Sequence, residues 1–129
     1  MPLVFSTSWN ASRLIRAKEM FFEIKKLGFL DLELSFNLLG PMIGEIRELL
    51  WNSDFKVRSV HNFCPIPEGI KREEALPDYY SISSLNKEER DLAIRYSKRS
   101  IDTASLLGAK VVILHCGRIE MQDQTRKLI

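Results

Sequence analysis

Two histidines each close an apolar run: "FKVRSVH" ends on His61 and "KVVILH" on His115. An imidazole can offer a lone pair or a proton near neutral pH, so two of them can hold a metal or bind a hydroxylated ligand. Glu33, in "FLDLELS", would add a carboxylate able to act as a base or to bind a hydroxyl. It alternates with leucines, so it faces the same way as Asp31 and Ser35 and away from Leu32 and Leu34. A solvated residue at a rim is the equal alternative for it, because burying a carboxylate without a partner is costly. Asn37, Asn62 and Arg118 follow the same runs, in "ELSFN", "HNFC" and "HCGR", and Trp9 follows the first, in "STSWN". All four are candidate substrate contacts. Arg118, with Glu120, reads as solvated or ion-paired rather than catalytic. Trp9 and Phe63 could stack on a sugar ring, whereas Trp51 at a helix end reads as packing.

Cys64 and Cys116 raise a second possibility, a tetrahedral zinc site made with the two histidines. The spacing opposes it, since Cys116 directly follows His115 and starts out on the other side of the strand. Small buried hydrophobes are the expected role of both cysteines.

These residues need elements to position them. "LVFS" is a short strand, and Leu14, Ala17, Phe21 and Ile24 recur at helical spacing within a helix expected over 11–27, stopped by Gly28. "FLDLELS" is the second strand; Met42, Ile43, Ile46, Leu49 and Leu50 mark a second helix; "FKVRSVH" is the third strand. Asn86 with Glu89 predicts a capping box opening a third helix that runs to about Leu107 and buries Ala93, Tyr96, Ile101, Ala104 and Leu107. "KVVILHC" reads as a fourth strand covered on both faces, and "MQDQTRKLI" as the first turns of a fourth helix. The stretch over 62–85, with Pro65, Pro67, Gly69 and Pro77, is irregular and long enough to be functional. Strands joined by helices form a parallel sheet, whose ligand chemistry collects at the carboxyl ends of the strands. That is where every candidate above falls.

The chain has 129 residues, one domain's worth, with 19 Lys and Arg against 17 Asp and Glu and a net charge of +2. The charges are interspersed, so nothing favours nucleic acid or a membrane surface. There is no basic leader before an apolar core and no apolar run of spanning length, so the expectation is a cytoplasmic protein.

The combination of "KLGFLDLELSFN", "VRSVHNFCPIP" and "AIRYSKRSIDTASLLGAKVVILHCGR" resembles the xylose-isomerase-like TIM barrels. These are the sugar isomerases and epimerases together with the zinc-dependent apurinic endonucleases. The resemblance covers almost the whole chain and is most specific in the "LGAKVVILH-G" segment. It implies an eight-stranded barrel with a divalent metal (Mn, Mg, Co or Zn) at the carboxyl-end mouth, acting in proton transfer next to a carbonyl. His61 and His115 match positions that bind metal in the endonucleases and touch substrate in the isomerases. The Glu, Asp, His and Glu ligands that family members draw from their fifth to eighth strands have no counterpart here.

A TIM barrel needs about 250 residues. The expected fold is therefore α/β, a partial (β/α) barrel of about four parallel strand-helix units filling 1–129. It would be the N-terminal half of a sugar or sugar-phosphate isomerase or epimerase, incomplete and inactive alone. Such a half-barrel leaves two unpaired edge strands and an apolar strip, with Val57, Val111 and Ile113 on its inner face, so a homo-oligomer or a missing C-terminal half should cover it. The alternatives are a non-catalytic assembly or binding domain or remnant, and an endonuclease-like metal hydrolase. The last is disfavoured because the loops lack a basic track for phosphates.

Overall fold

Alternation decides which way the central strands face: Leu32 and Leu34 are fully buried, while Asp31 and Glu33 between them are only partly so. The computed structural model describes residues 3–117. Four strands, β1 (Phe5–Ser6), β2 (Asp31–Leu34), β3 (Lys56–His61) and β4 (Val111–Ile113), alternate with three helices, α1 (Ala17–Lys26), α2 (Gly40–Trp51) and α3 (Lys87–Leu106). The strands form one sheet in the order β1-β2-β3-β4, with every neighbouring pair parallel. Parallel neighbours need crossover connections, and right-handed crossovers that always step in the same direction put their helices on the same face. The core lies on that face. Leu32, Leu34, Val57 and Val60 of the sheet join Phe21, Ile24, Ile46, Ala104 and Leu107 in one buried cluster.

Local chemistry sets the helix ends. Gly28, at φ 92°, takes the left-handed conformation that ends α1. The start of α1 is later than the apolar spacing suggests: residues 10–13 form a turn, and the helix begins at Ala17. Arg16 provides no side-chain cap, and the Ala17 N–H donates instead to the Glu45 carboxylate of α2, at 2.9 Å. Asn86 caps α3 as expected, accepting from the N–H groups of Glu88 and Glu89. The box is not reciprocal, because the Glu89 carboxylate turns to the Ser81 N–H and the Ser84 hydroxyl.

Further expectations need correction. Val57 belongs to the core, not the inner face, because the register slips by one residue at Arg58: Leu32 pairs with Val57 and Glu33 with Ser59. The inner face is correspondingly more polar than a plain alternation implies. Ile101 is half exposed rather than packed, and the buried stripe of α3 instead includes Ser97, Ser100 and Thr103. Among the described residues β4 is an edge strand rather than a doubly covered one, with Val111 52% and Leu114 40% exposed. Trp51 is 89% exposed, so it packs on almost nothing. The expected fourth helix lies outside the described residues.

The long connection before α3 is packed rather than loose. Residues 62–67 are buried, and Arg72, in a single turn of 3-10 helix (Arg72–Glu74), donates to the carbonyl oxygens of Asn37 (3.0 Å) and Leu14 (2.8 Å). One guanidinium thereby ties together the loops that follow β1, β2 and β3.

Candidate functional site

The register lays the inner face out as rows. Ser6 pairs with Glu33, Glu33 with Ser59, and Ser59 with Val111; one step closer to the carboxyl ends, His61 pairs with Ile113. His115 follows two residues after Ile113, at the end of the same side of β4. The two imidazoles meet there, their ring centres 5.2 Å apart and their planes inclined at 64°. Phe36 packs edge-on against His61 from the β2 side, at 5.6 Å.

Glu33 is held at both carboxylate oxygens. Oε1 accepts from the Ser6 hydroxyl and Oε2 from the Ser59 hydroxyl, each at 3.1 Å, which fixes the plane of the group while leaving lone pairs on both oxygens. Next to it on the same face, Asp31 is ion-paired with Arg58. His61 is oriented by the backbone: its Nδ1 lies 3.0 Å from the Asn62 carbonyl oxygen. A carbonyl can only accept, so Nδ1 carries the proton and Nε2 is the nitrogen presented to a ligand. His115 is exposed.

The other candidates divide. Trp9 stands half exposed just after β1, its ring against Phe5 and beneath the Arg13 guanidinium, 5.2 Å from the ring centre. Asn37 gives its carbonyl to Arg72, and its Oδ1 is buried with no hydrogen-bond partner among the described residues. Asn62 is committed elsewhere: its side chain is buried under α3, donating to the Ser97 hydroxyl at 3.1 Å and accepting from that of Ser100 at 2.8 Å. Phe63 is likewise buried, among Tyr80 and Tyr96, and offers no face to a sugar. Arg118 and Glu120 lie outside the described residues.

The cysteines part company. Cys64 is fully buried, and that burial pushes its thiol up to about 12, as expected of a small hydrophobe. Cys116 is exposed, contrary to expectation, because β4 is left uncovered at its end. Among the described residues no three His, Cys, Asp or Glu side chains gather where they could hold a metal ion. His61 and His115 thus provide two ligands, and a catalytic zinc site takes three from the protein plus an open position. The residues described do not fit a complete metal centre.

Ser6, Ser59 and Arg72 are the site residues that sequence reasoning missed. For the two serines a signal existed in principle, since both are small hydroxyls on the face of Glu33, but pairing them with it required the strand register. Gly117 is a further case. It sits at φ 99°, and a Cβ there would fall 2.4 Å from the Ser83 Oγ and 2.6 Å from the Ser81 Oγ. Only glycine lets the segment after His115 lie against the loop before α3.

Two surface grooves among the described residues lie away from this rim. They run along α1 and α2, lined by Arg16, Glu45 and Glu48 among others. No helix among the described residues is long and apolar enough to cross a membrane. Against models of known families, curated proteins and solved structures, the chain has no match.

Proposed function

We propose that these four strand-helix units are half of a (β/α) barrel of the sugar or sugar-phosphate isomerase and epimerase type, with the ligand lying over the carboxyl ends of the strands. The observation that carries this reading is the meeting of His61 and His115, 5.2 Å apart, on the sheet face that also bears Glu33. A sequential parallel sheet with helices on one face is how such a barrel begins, and the end that bears the histidines is the one barrels use for chemistry. The Nε2 of His61 and the imidazole of His115 hydrogen-bond to oxygens of the ligand; Trp9, against Phe5 on the helix side of the sheet, takes no part. Glu33, its plane fixed by Ser6 and Ser59, accepts a proton from the carbon next to the carbonyl. Return of that proton to the former carbonyl carbon, with the adjacent hydroxyl proton passing to the carbonyl oxygen, isomerises the sugar; epimerisation needs a second acid on the opposite face, to come from the rest of the wall. A second copy, or further strand-helix units, supplies the rest of the wall. We place the protein in the cytoplasm, where two free cysteines persist as thiols.

A non-catalytic assembly domain is the second reading, and the exposed apolar residues at the β4 edge favour it. Histidine-ring NMR separates the two. The chain has only two histidines, assignable by substituting each in turn. Titration with a ketose phosphate should shift both rings along one saturable curve, with inorganic phosphate leaving them unmoved. If neither ring responds to millimolar ligand, the sugar reading is wrong and the assembly reading stands.

A further inference from the structure

We propose that the long connection over 62–85 is a clamp, built on α3, that brings His61 and His115 together, with Gly117 and Glu89 as positioning residues for His115. Its part in ligand binding rests on the reading of the rim proposed above, and it names what regulates that rim.

The sheet does not hold His115 in place. The β3–β4 ladder ends where the Asn62 N–H donates to the Ile113 carbonyl at 2.9 Å, and residues 114–117 belong to no strand. The His115 side chain is exposed and hydrogen-bonds to no described residue, yet its ring centre lies 5.2 Å from that of His61. The next fixed point is two residues on. Gly117, at φ 99°, lies so close to the turn over 81–84 that a Cβ would fall 2.4 Å from the Ser83 Oγ and 3.0 Å from the Ser83 Cβ. That turn is pinned to α3. The Glu89 carboxylate accepts from the Ser81 N–H at 2.9 Å and from the Ser84 hydroxyl at 2.8 Å, and Arg90 donates to the Ser84 carbonyl at 2.6 Å.

The other end of the same connection holds His61. Its Nδ1 donates to the Asn62 carbonyl oxygen, and the Asn62 side chain is fixed by Ser97 and Ser100 of α3. One helix therefore sets both imidazoles, His61 from its middle and His115 from its first turn. Movement of the 81–84 turn parts the rings without disturbing the sheet, so the start of α3 controls whether the rim presents one histidine or two.

Histidine-ring NMR on the whole chain gives the test, because a cross-peak between the two rings reports their contact without any ligand. Gly117→Ala puts a side chain where the backbone is left-handed and the turn leaves no room. It should abolish the cross-peak and move the His115 signals to those of a freely exposed histidine. Glu89→Ala, which leaves Gly117 and the Asn86 cap in place, should do the same. Gly108→Ala is the control. Gly108 is also left-handed, at φ 74°, but a Cβ there meets nothing within 4 Å, so this variant carries the strain without the seat and should keep the cross-peak. In Gly117→Ala the half-saturating ketose phosphate concentration, read at the His61 ring, should rise about fivefold, the loss of one hydrogen bond. A cross-peak that survives either Gly117→Ala or Glu89→Ala, that Gly108→Ala removes as readily, or that the unaltered chain lacks overturns the proposal. Should one of the two variants fail to fold, the other decides. The two readings fail separately. If the cross-peak responds as stated but neither ring responds to the sugar, only the sugar reading falls; rings that answer the sugar alike in every variant remove only the clamp.

Discussion

Ser100 shows how much of this molecule rests on single polar side chains. Its hydroxyl accepts from the Cys64 N–H at 2.9 Å and donates to the Asn62 Oδ1 at 2.8 Å, all of it buried between α3 and the start of the long loop. Ser100→Ala leaves both partners without a bond in a place water does not reach, so it should destabilise the chain by about 1–3 kcal/mol, read from the urea midpoint. Exposed Ser105, on the same helix, should lose less than about 0.5 kcal/mol on the same change. The thiols give a second residue-scale expectation. A disulfide reagent should label Cys116 at once and Cys64 only on unfolding, because burial both shields the Cys64 sulfur and holds it in the thiol form. Rapid labelling of two thiols in folded protein would contradict that burial.

Among the elements, α1 depends most on its neighbour, since its first N–H is capped by Glu45 from α2 rather than from within its own sequence. Burial alone would raise the Glu45 carboxyl, but the Ala17 N–H and the Arg16 guanidinium outweigh it and hold the group below its ordinary value. A depressed carboxyl stabilises the fold above its unfolded pKa and stops doing so as acid protonates it. Glu45→Ala should therefore cost about 1 kcal/mol at neutral pH, the usual worth of a cap. The deficit should shrink as pH falls below about 4.5, which denaturant melts across pH 3–7 would follow. This dependence also explains what the sequence did and did not disclose. Strands and helices were legible because Leu32 and Leu34, or Met42, Ile43 and Ile46, repeat at the period of their own element. The late start of α1 was not, because its cap lies 28 residues away. Val57 was misplaced for a similar reason: one extra residue at Arg58 flips the faces of β3, and nothing in "KVRSVH" marks where the slip falls. His61 and His115 were legible as strand ends, whereas the hydroxyl pair around Glu33 became visible only with the register. In α3, Ser97, Ser100 and Thr103 were not among the expected buried residues, because polarity does not distinguish a buried hydrogen-bonding stripe from an exposed one.

At the scale of the whole molecule, the sheet has two edges without a strand partner among the described residues, and Val111 and Leu114 lie open beside one of them. Such edges favour pairing with another chain. Size exclusion coupled to light scattering should find a dimer or larger assembly at micromolar concentration. A stable peak near 14.9 kDa across a dilution series, with no binding of a hydrophobic dye, would show that the inner face is covered in some other way. Purified alone, the chain should show no isomerase or epimerase turnover of ketoses or their phosphates, with or without added manganese or cobalt, because two histidines do not make a catalytic metal centre. Robust metal-dependent turnover would mean that the assembled chain provides the missing ligands.

The two tryptophans stand at opposite ends of the strands: Trp9 follows β1, and Trp51 closes α2 just before β3 begins. Their optical behaviour should differ accordingly. Trp51, 89% exposed, should emit at long wavelength and be quenched freely by iodide, whatever occupies the rim. Trp9, beneath Arg13 and against Phe5 on the helix side of β1, should emit at shorter wavelength and be quenched less. Replacing Trp51 with Phe leaves the Trp9 emission alone, so the packing of α1 beside β1 can be followed in unlabelled protein by fluorescence.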